Sequence, residues 1–145
     1  MRLPASDFYP GIRHFVMEKW QQAWDCTTGS KLKDIKPLIG KWKSCSQQER
    51  KHEVMLSRLR IGHTYATHRY LLCGEGRPRC PRCGSPLTVL HVLLECRDLE
   101  NDRARIFGTR VASLRDLLGD DSTLLPNVFQ FLNYLRFPII FSKYS

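Results

Sequence analysis

Between residues 80 and 96 the chain reads C-x2-C-x7-H-x4-C, with Cys80, Cys83, His91 and Cys96 as its fixed points. Four thiol and imidazole donors within seventeen residues carry the spacing of a structural zinc site. A two-residue gap lets one tight turn aim both thiolates at a single ion. Gly84, directly after Cys83, supplies the turn's unusual backbone angles. His91 and Cys96 then close the tetrahedron from a second segment. With all four positions filled by protein there is no place for water, so the expected ion is structural and not catalytic. Two rival readings exist. One is four unrelated residues in a reduced chain. The other is a thioredoxin-like redox pair, which needs a strand before the motif and a helix straight after it. Here Gly74, Gly76 and Pro78 precede the motif, and Gly84, Ser85 and Pro86 follow it.

The spacing of the last two ligands sets a condition on local structure. Thr88 can cap a helix carrying Val89 to Cys96. Residues five apart lie about 140° apart around an ideal helix. His91 and Cys96 can therefore share one ion only if the helix ends or loosens at Cys96. Leu90, Leu93 and Leu94 are expected to anchor this helix to the core.

A chain of 145 residues, 42% of them hydrophobic, is long enough to bury a core without relying on metal alone. It reads as a single domain or a C-terminal fragment of a larger chain: a basic helical part (1–77), the knuckle (78–97) and a neutral helical part (98–145). No apolar run reaches the roughly 18 residues of a membrane-spanning helix. Met1 to Asp7 has no apolar run behind its arginine, unlike a signal peptide. Six cysteines in this context favour a reduced, intracellular chain, cytoplasmic or nuclear, over a secreted disulfide framework.

Charge is distributed unevenly. Residues 1–83 hold sixteen Lys and Arg against seven Asp and Glu, and residues 84–145 hold seven of each, so the whole excess of +9 precedes the end of the Cys pair. A one-sided basic excess suits a polyanion, because each neutralised phosphate releases condensed counterions. A solvated basic face with no partner is the plainer alternative.

Along the chain, Tyr9 to Asp25 has helical periodicity, with Ile12, Phe15, Val16, Lys19, Trp20, Ala23 and Trp24 on one face. That face is expected to enter the core. Residues 31–45 alternate lysines with apolar residues around Pro37 and Gly40, and read as an extended basic segment. Lys31, Lys33, Lys36, Lys41 and Lys43 around Trp42 have the mixture of cations and aromatic surface that holds single-stranded nucleic acid. Ser46, with Glu49 as capping-box partner, predicts a helix over 47–60 with Val54, Met55, Arg58 and Leu59 on one side, broken by Gly62. Thr64 predicts a short helix from Tyr65 to Cys73, capped by Gly74. His63 and His68 beside it read as hydrogen-bonded structural residues. A second metal site combining His68 and Cys73 with Cys26 or Cys45 would lack a close Cys pair. Helices are expected at Asp98 to Phe107, at Ser113 to Leu118 and from Pro126 to Phe137. Asp120-Asp121 should cap the last of these, and the tail Ile139-Ile140-Phe141 should dock on the core.

No catalytic constellation emerges. The sequence has no glycine-rich phosphate loop, no G-x-S-x-G and no H-E-x-x-H. A deaminase-like zinc site needs a Glu two residues after its ligand histidine, and His91 is followed by Val92 and Leu93.

Several blocks together resemble one family. They are Arg58-Leu59-Arg60-Ile61-Gly62-His63-Thr64, Thr67-His68, Tyr70-Leu71-Leu72, Cys80-Pro81-Arg82-Cys83-Gly84, Leu87-Thr88 and His91-Val92-Leu93-Leu94-Glu95-Cys96. The chain is similar to the C-terminal zinc-binding region of reverse transcriptases from non-LTR (LINE-like) retrotransposons, from about residue 10 to 135. The resemblance implies assistance in binding template RNA or target DNA, and other domains of a retrotransposon polyprotein as partners. Neither a polymerase Asp-Asp motif nor a ribonuclease H carboxylate cluster is found in the sequence. The seven-residue middle gap is longer than the four of retroviral nucleocapsid knuckles, so their mode of guanine recognition does not transfer.

The expected protein is thus mostly α, with five to six helices and one zinc knuckle. It is a nucleic-acid-binding module without catalysis, a membrane segment or a small-molecule substrate. A domain that docks on other proteins is the alternative. The expected phosphate contacts are Lys31, Lys33, Lys36, Lys41, Lys43, Arg58, Arg60, Arg69, Arg77, Arg79 and Arg82.

Overall fold

The computed structural model describes residues 9–108 and 111–137. The expected docking of Ile139-Ile140-Phe141 lies outside the described residues. The chain is mostly helical, in the order α1 (Tyr9–Cys26), α2 (Lys31–Ile35), α3 (Arg50–Ile61), α4 (Tyr65–His68), α5 (Tyr70–Cys73), α6 (Glu100–Phe107), α7 (Leu114–Leu118) and α8 (Leu125–Tyr134). Short 3-10 turns stand at Lys43–Cys45 and Arg97–Leu99, and a π-helical turn spans His91–Glu95.

The core gathers apolar residues from both sides of the knuckle. Met55, Leu56 and Leu59 of α3 meet Leu117 and Leu118 of α7 and Val128, Phe131 and Leu132 of α8. Phe107 closes α6 onto Phe131 with ring centroids 5.2 Å apart. The knuckle contributes Cys80, Val89, Val92, Leu93, Cys96 and Leu99 to the same cluster. Leu90, expected as an anchor, points out, because Val89, Val92 and Leu93 already fill the inner face. Within α3 the buried set is Met55, Leu56, Leu59 and Arg60, so the inner face is rotated from the expected one and Arg58 lies outside.

Helix ends follow local chemistry. At the end of α3, Gly62 takes φ 80°, its N–H donates to Leu59, and the His63 N–H reaches back to Arg58. That is a Schellman motif, which needs a left-handed residue at this point. Gly119 is required for space instead of dihedral freedom, since a Cβ there would stand 2.5 Å from the Arg115 carbonyl oxygen. Thr64 and Ser113 form reciprocal capping boxes with Thr67 and Asp116. Ser46 does not cap α3. Glu49 holds the N-cap position, and the Glu53 carboxylate takes the Arg50 guanidinium and the Gln47 N–H. The helix predicted from Tyr65 to Cys73 divides at Arg69 into α4 and α5, and α6 begins only after the 3-10 turn.

Two expectations for the N-terminal half are corrected. Residues 31–45 are not extended throughout: Lys31–Ile35 completes a helical turn before Pro37 and Gly40 can interrupt it, and it buries Ile35 against α3 and α7. The face of α1 expected in the core is not there. No residue of α1 is buried, and Ile12, Phe15, Val16 and Trp20 are 53–59% exposed. The helix is held mainly near its C-terminal end. Gln21 and Trp24 donate to the carbonyls of Pro37 and Lys36, and Gln21 accepts from the Ile39 N–H. Partners lie only beside that end, so the apolar stripe closer to the N-terminus has nothing to cover it among the described residues.

A polar network ties this region to the rest. Asp120 accepts from Lys36 Nζ at 2.7 Å and from the Ser44 hydroxyl and N–H at 2.7 and 3.1 Å. It therefore links segments 84 positions apart in sequence instead of capping the next helix. Arg60, 6% exposed, donates to the Leu118 carbonyl and the Ser44 hydroxyl. Trp42 receives Arg60 at 3.8 Å and Lys36 at 4.5 Å from its ring centroid. Burial alone would raise the Asp120 carboxyl, but the bonds from Lys36 and Ser44 outweigh it and hold the group well below the ordinary carboxylate range.

Asp120→Asn should lower the unfolding free energy at pH 7 by about 2–3 kcal/mol in urea titration. Folding depresses this pKa, so the stabilisation is complete above the unfolded-state value of about 3.9 and fades as pH falls below it. The wild-type and variant stabilities should converge in acid. A gap that stays constant down to pH 2 would assign the loss to packing and not to charge.

Candidate metal centre

The knuckle is built by backbone hydrogen bonds before any side chain is considered. The Gly84 N–H donates to the Cys80 carbonyl at 2.8 Å, closing the turn that holds Cys80 and Cys83 together. Gly84 has φ 74°, as the turn demands. The Cys80 N–H donates to Ser85 and the Leu87 N–H to Pro78, pairing the two arms around an isolated bridge between Arg79 and Pro86. This surrounding matches a metal turn and not the strand-then-helix setting of a redox pair.

The second arm starts at Thr88, whose hydroxyl accepts from the His91 N–H at 2.9 Å. The condition set by the five-residue spacing is met by a change of helix type. From His91 to Glu95 the backbone is π-helical, and the Cys96 N–H donates to the His91 carbonyl at 2.8 Å, an i→i+5 bond. The wider turn returns Cys96 to the side that carries His91. Cys96 itself is extended, with φ −64° and ψ 115°, so the helix ends on the ligand.

All four ligand atoms lie within 4.8 Å of one another, and this Cys3His cluster could hold a metal ion. The Cys80–Cys96 and Cys83–Cys96 sulfur separations are both 3.8 Å. A tetrahedron with metal–sulfur bonds of about 2.3 Å has edges of about 3.8 Å. The donor set thus fits one tetrahedral ion, and the sulfurs are far too distant for disulfides. His91 turns Nε2 toward Cys83 at 3.1 Å and leaves Nδ1 facing the Glu95 carboxylate at 3.8 Å. A ligating imidazole is commonly oriented by such an outer partner. Hydrogen bonds from the Ser85 side chain and backbone hold the Cys83 thiol down to about 6, whereas burial pushes Cys96 up to about 11. Cys83 is exposed and the other three ligands are buried. Metal capture must drive the proton off the buried sulfur, so affinity should weaken as pH falls.

One supporting residue has no signature in the sequence. Arg103 of α6 donates to the Cys96 carbonyl at 2.7 Å and to the Val92 carbonyl at 3.4 Å. It adds a side-chain donor at the loosened turn, where the Cys96 carbonyl also accepts from the Leu99 N–H at 3.2 Å.

The expected phosphate contacts are divided by the fold. Arg60 is withdrawn into the core, Lys36 is ion-paired to Asp120, and Lys33 donates to the Asp25 and Thr27 carbonyls. Trp42 is half-buried and already holds Arg60 and Lys36 against its ring. Lys31, Lys41, Lys43, Arg58, Arg69, Arg77, Arg79 and Arg82 remain exposed. Of these, Lys43 lies 3.7 Å from Asp121 and Arg69 3.5 Å from Glu75. His63 and His68 stack at 3.8 Å, and His68 Nδ1 meets the Thr67 hydroxyl. They serve local structure, and among the described residues no second group of potential ligands comes together.

Cys83→Ser should reduce the metal content of the purified protein to background by elemental analysis, and Arg103→Ala should weaken metal retention about tenfold in a chelator competition. Full metal content in Cys83→Ser would remove Cys83 from the ligand set. No family model, curated protein or solved structure matches the chain.

Proposed function

We propose that this chain is a zinc-stabilised nucleic-acid-binding module without catalytic activity of its own. Zinc is supported by the donor set. Three thiolates and one imidazole at tetrahedral spacing suit a borderline-soft ion and leave no open position. The observation that carries the binding assignment is the population of exposed cations around the knuckle, of which Arg79 also donates to the Gly84 carbonyl at 3.0 Å. Arg77, Arg79 and Arg82 are exposed within six residues of sequence, while the lysines near Asp120 and Asp121 are partly neutralised. Guanidinium groups pair bidentately with phosphate, which favours arginine over lysine for this role. The resemblance to the C-terminal region of non-LTR retrotransposon reverse transcriptases supports the same reading, with template RNA or target DNA as the polyanion.

A second reading rests on α1. Its uncovered Ile12, Phe15, Val16 and Trp20 suit a surface that docks on a neighbouring domain of a parent polyprotein. The two readings use different faces, and they separate experimentally: Phe15→Glu with Trp20→Glu should abolish docking and leave nucleic-acid binding unchanged.

Binding of a single-stranded RNA should weaken steeply between low and moderate salt. Replacing Arg77, Arg79 and Arg82 by alanine should lower the salt slope by about two to three, and Lys36→Ala should leave it nearly unchanged. A salt-independent affinity would overturn the electrostatic assignment. Protein made in cells should carry one zinc per chain, and a stably folded metal-free wild type would overturn the structural role of the ion.

A further inference from the structure

A groove of about 490 Å³ opens beside the knuckle. Its size falls within the range of pockets that take a small organic ligand, roughly 300–1,000 Å³. Its walls combine two kinds of chemistry. Val92 and Leu99 form a buried apolar floor, with the Tyr65 and Tyr70 rings beside it. Arg82 and Arg136 supply two exposed guanidiniums, and Arg69 a third that lies 3.5 Å from the Glu75 carboxylate and over the Tyr65 ring at 5.6 Å. They come from three separate segments: α4–α5, the Cys80–Cys83 turn, and the end of α8.

The backbone at Arg136 is a second, independent observation. The ends of α3, α6 and α8 all carry a left-handed residue. In α3 and α6 it is glycine (Gly62 and Gly108), but in α8 it is Arg136, with φ 49°. The Arg136 N–H donates to Asn133 and the Phe137 N–H to Leu132, the hydrogen-bond pattern in which glycine is ordinarily favoured. An arginine accepts a conformational cost there that glycine avoids. The residue in that position stands on the rim of the groove.

We infer that this groove holds an unpaired nucleotide of a single-stranded nucleic acid, with its base over the apolar floor and tyrosine rings and its phosphates on Arg69, Arg82 and Arg136. The inference rests on the nucleic-acid reading above and assigns it a site. Charge complementarity argues for a polyanion, and the aromatic and apolar floor argues for one with flat π-faces. An acidic peptide would use the guanidiniums but leave the floor uncovered. A duplex would keep its bases stacked on one another, out of reach of the rings.

The test is a fluorescence titration with an oligoadenylate carrying one fluorescent purine, in RNA and DNA versions, beside a duplex of the same length. Both single strands, or either of them, should bind more tightly than the duplex. Tyr70→Ala should weaken single-strand binding about tenfold with the salt slope unchanged, and Tyr70→Phe should restore it. Arg136→Gly should weaken binding and lower the salt slope by about one. The same substitution should leave thermal stability equal to or above wild type, because glycine suits the left-handed backbone. A purely structural arginine would show neither loss. Wild type that binds no strand overturns the nucleic-acid reading as a whole. Wild type that binds with strong salt dependence, while Tyr70→Ala and Arg136→Gly are unaffected, overturns the groove alone. So does a duplex bound as tightly as the single strand, or a glutamate-rich peptide of equal charge that competes as well as the oligonucleotide.

Discussion

The π-helical turn at His91–Glu95 is the constraint on which the rest of the structure depends. In an α-helix His91 and Cys96 would face apart and the four donors could not meet. The i→i+5 bond from Cys96 to His91 widens the turn and aligns them. The same turn places Val92 and Leu93 inward, so the ligands and the core are carried by one short segment. Cys80 and Cys96 are buried among aliphatic side chains, where polar atoms without partners are costly. An ion shared by all four residues would remove that cost and tie together the segments before and after the knuckle.

A second tie operates through charge. Asp120 gathers Lys36 and Ser44, and Ser44 in turn accepts from the buried Arg60. Burial lowers Arg60 to about 10, which still leaves it cationic at neutral pH. Removing either charge would strand the other in a poorly solvated place, so the network acts as a unit. Its consequence for function is indirect. It engages Lys36 and Arg60 at Trp42, while Lys31, Lys41, Lys43 and Arg58 stay exposed along with the guanidiniums about the knuckle and its groove. The basic excess of the first half is therefore not one surface but two populations, one internal and one external.

The Cys3His cluster was readable because its spacing is local. So were the end of α3 at Gly62 and the start of α4 at Thr64, each set by a few consecutive residues, whereas the capping box expected from Ser46 and Glu49 did not form. The α1 helix was legible in its periodicity, but not in its burial. A stripe of Phe15, Val16 and Trp20 looks the same whether or not another element covers it. Arg103 and Arg136 left no mark in sequence. One acts by reaching carbonyls of a distant turn, the other by adopting a backbone angle that its residue type does not announce.

By itself the sequence determined the helical class, the Cys3His cluster and the requirement that the helix loosen at Cys96 if His91 and Cys96 are to meet. Ligand spacing and hydrophobic periodicity are short-range, and the chain enforces them wherever it folds. Only the tertiary structure decided which cations stay free, how the ends of α4–α5 and α8 converge on one groove, and that α1 keeps an uncovered face. Burial and ion pairing depend on which distant residues arrive at the same place, and Lys36 meets Asp120 only once the intervening chain has packed.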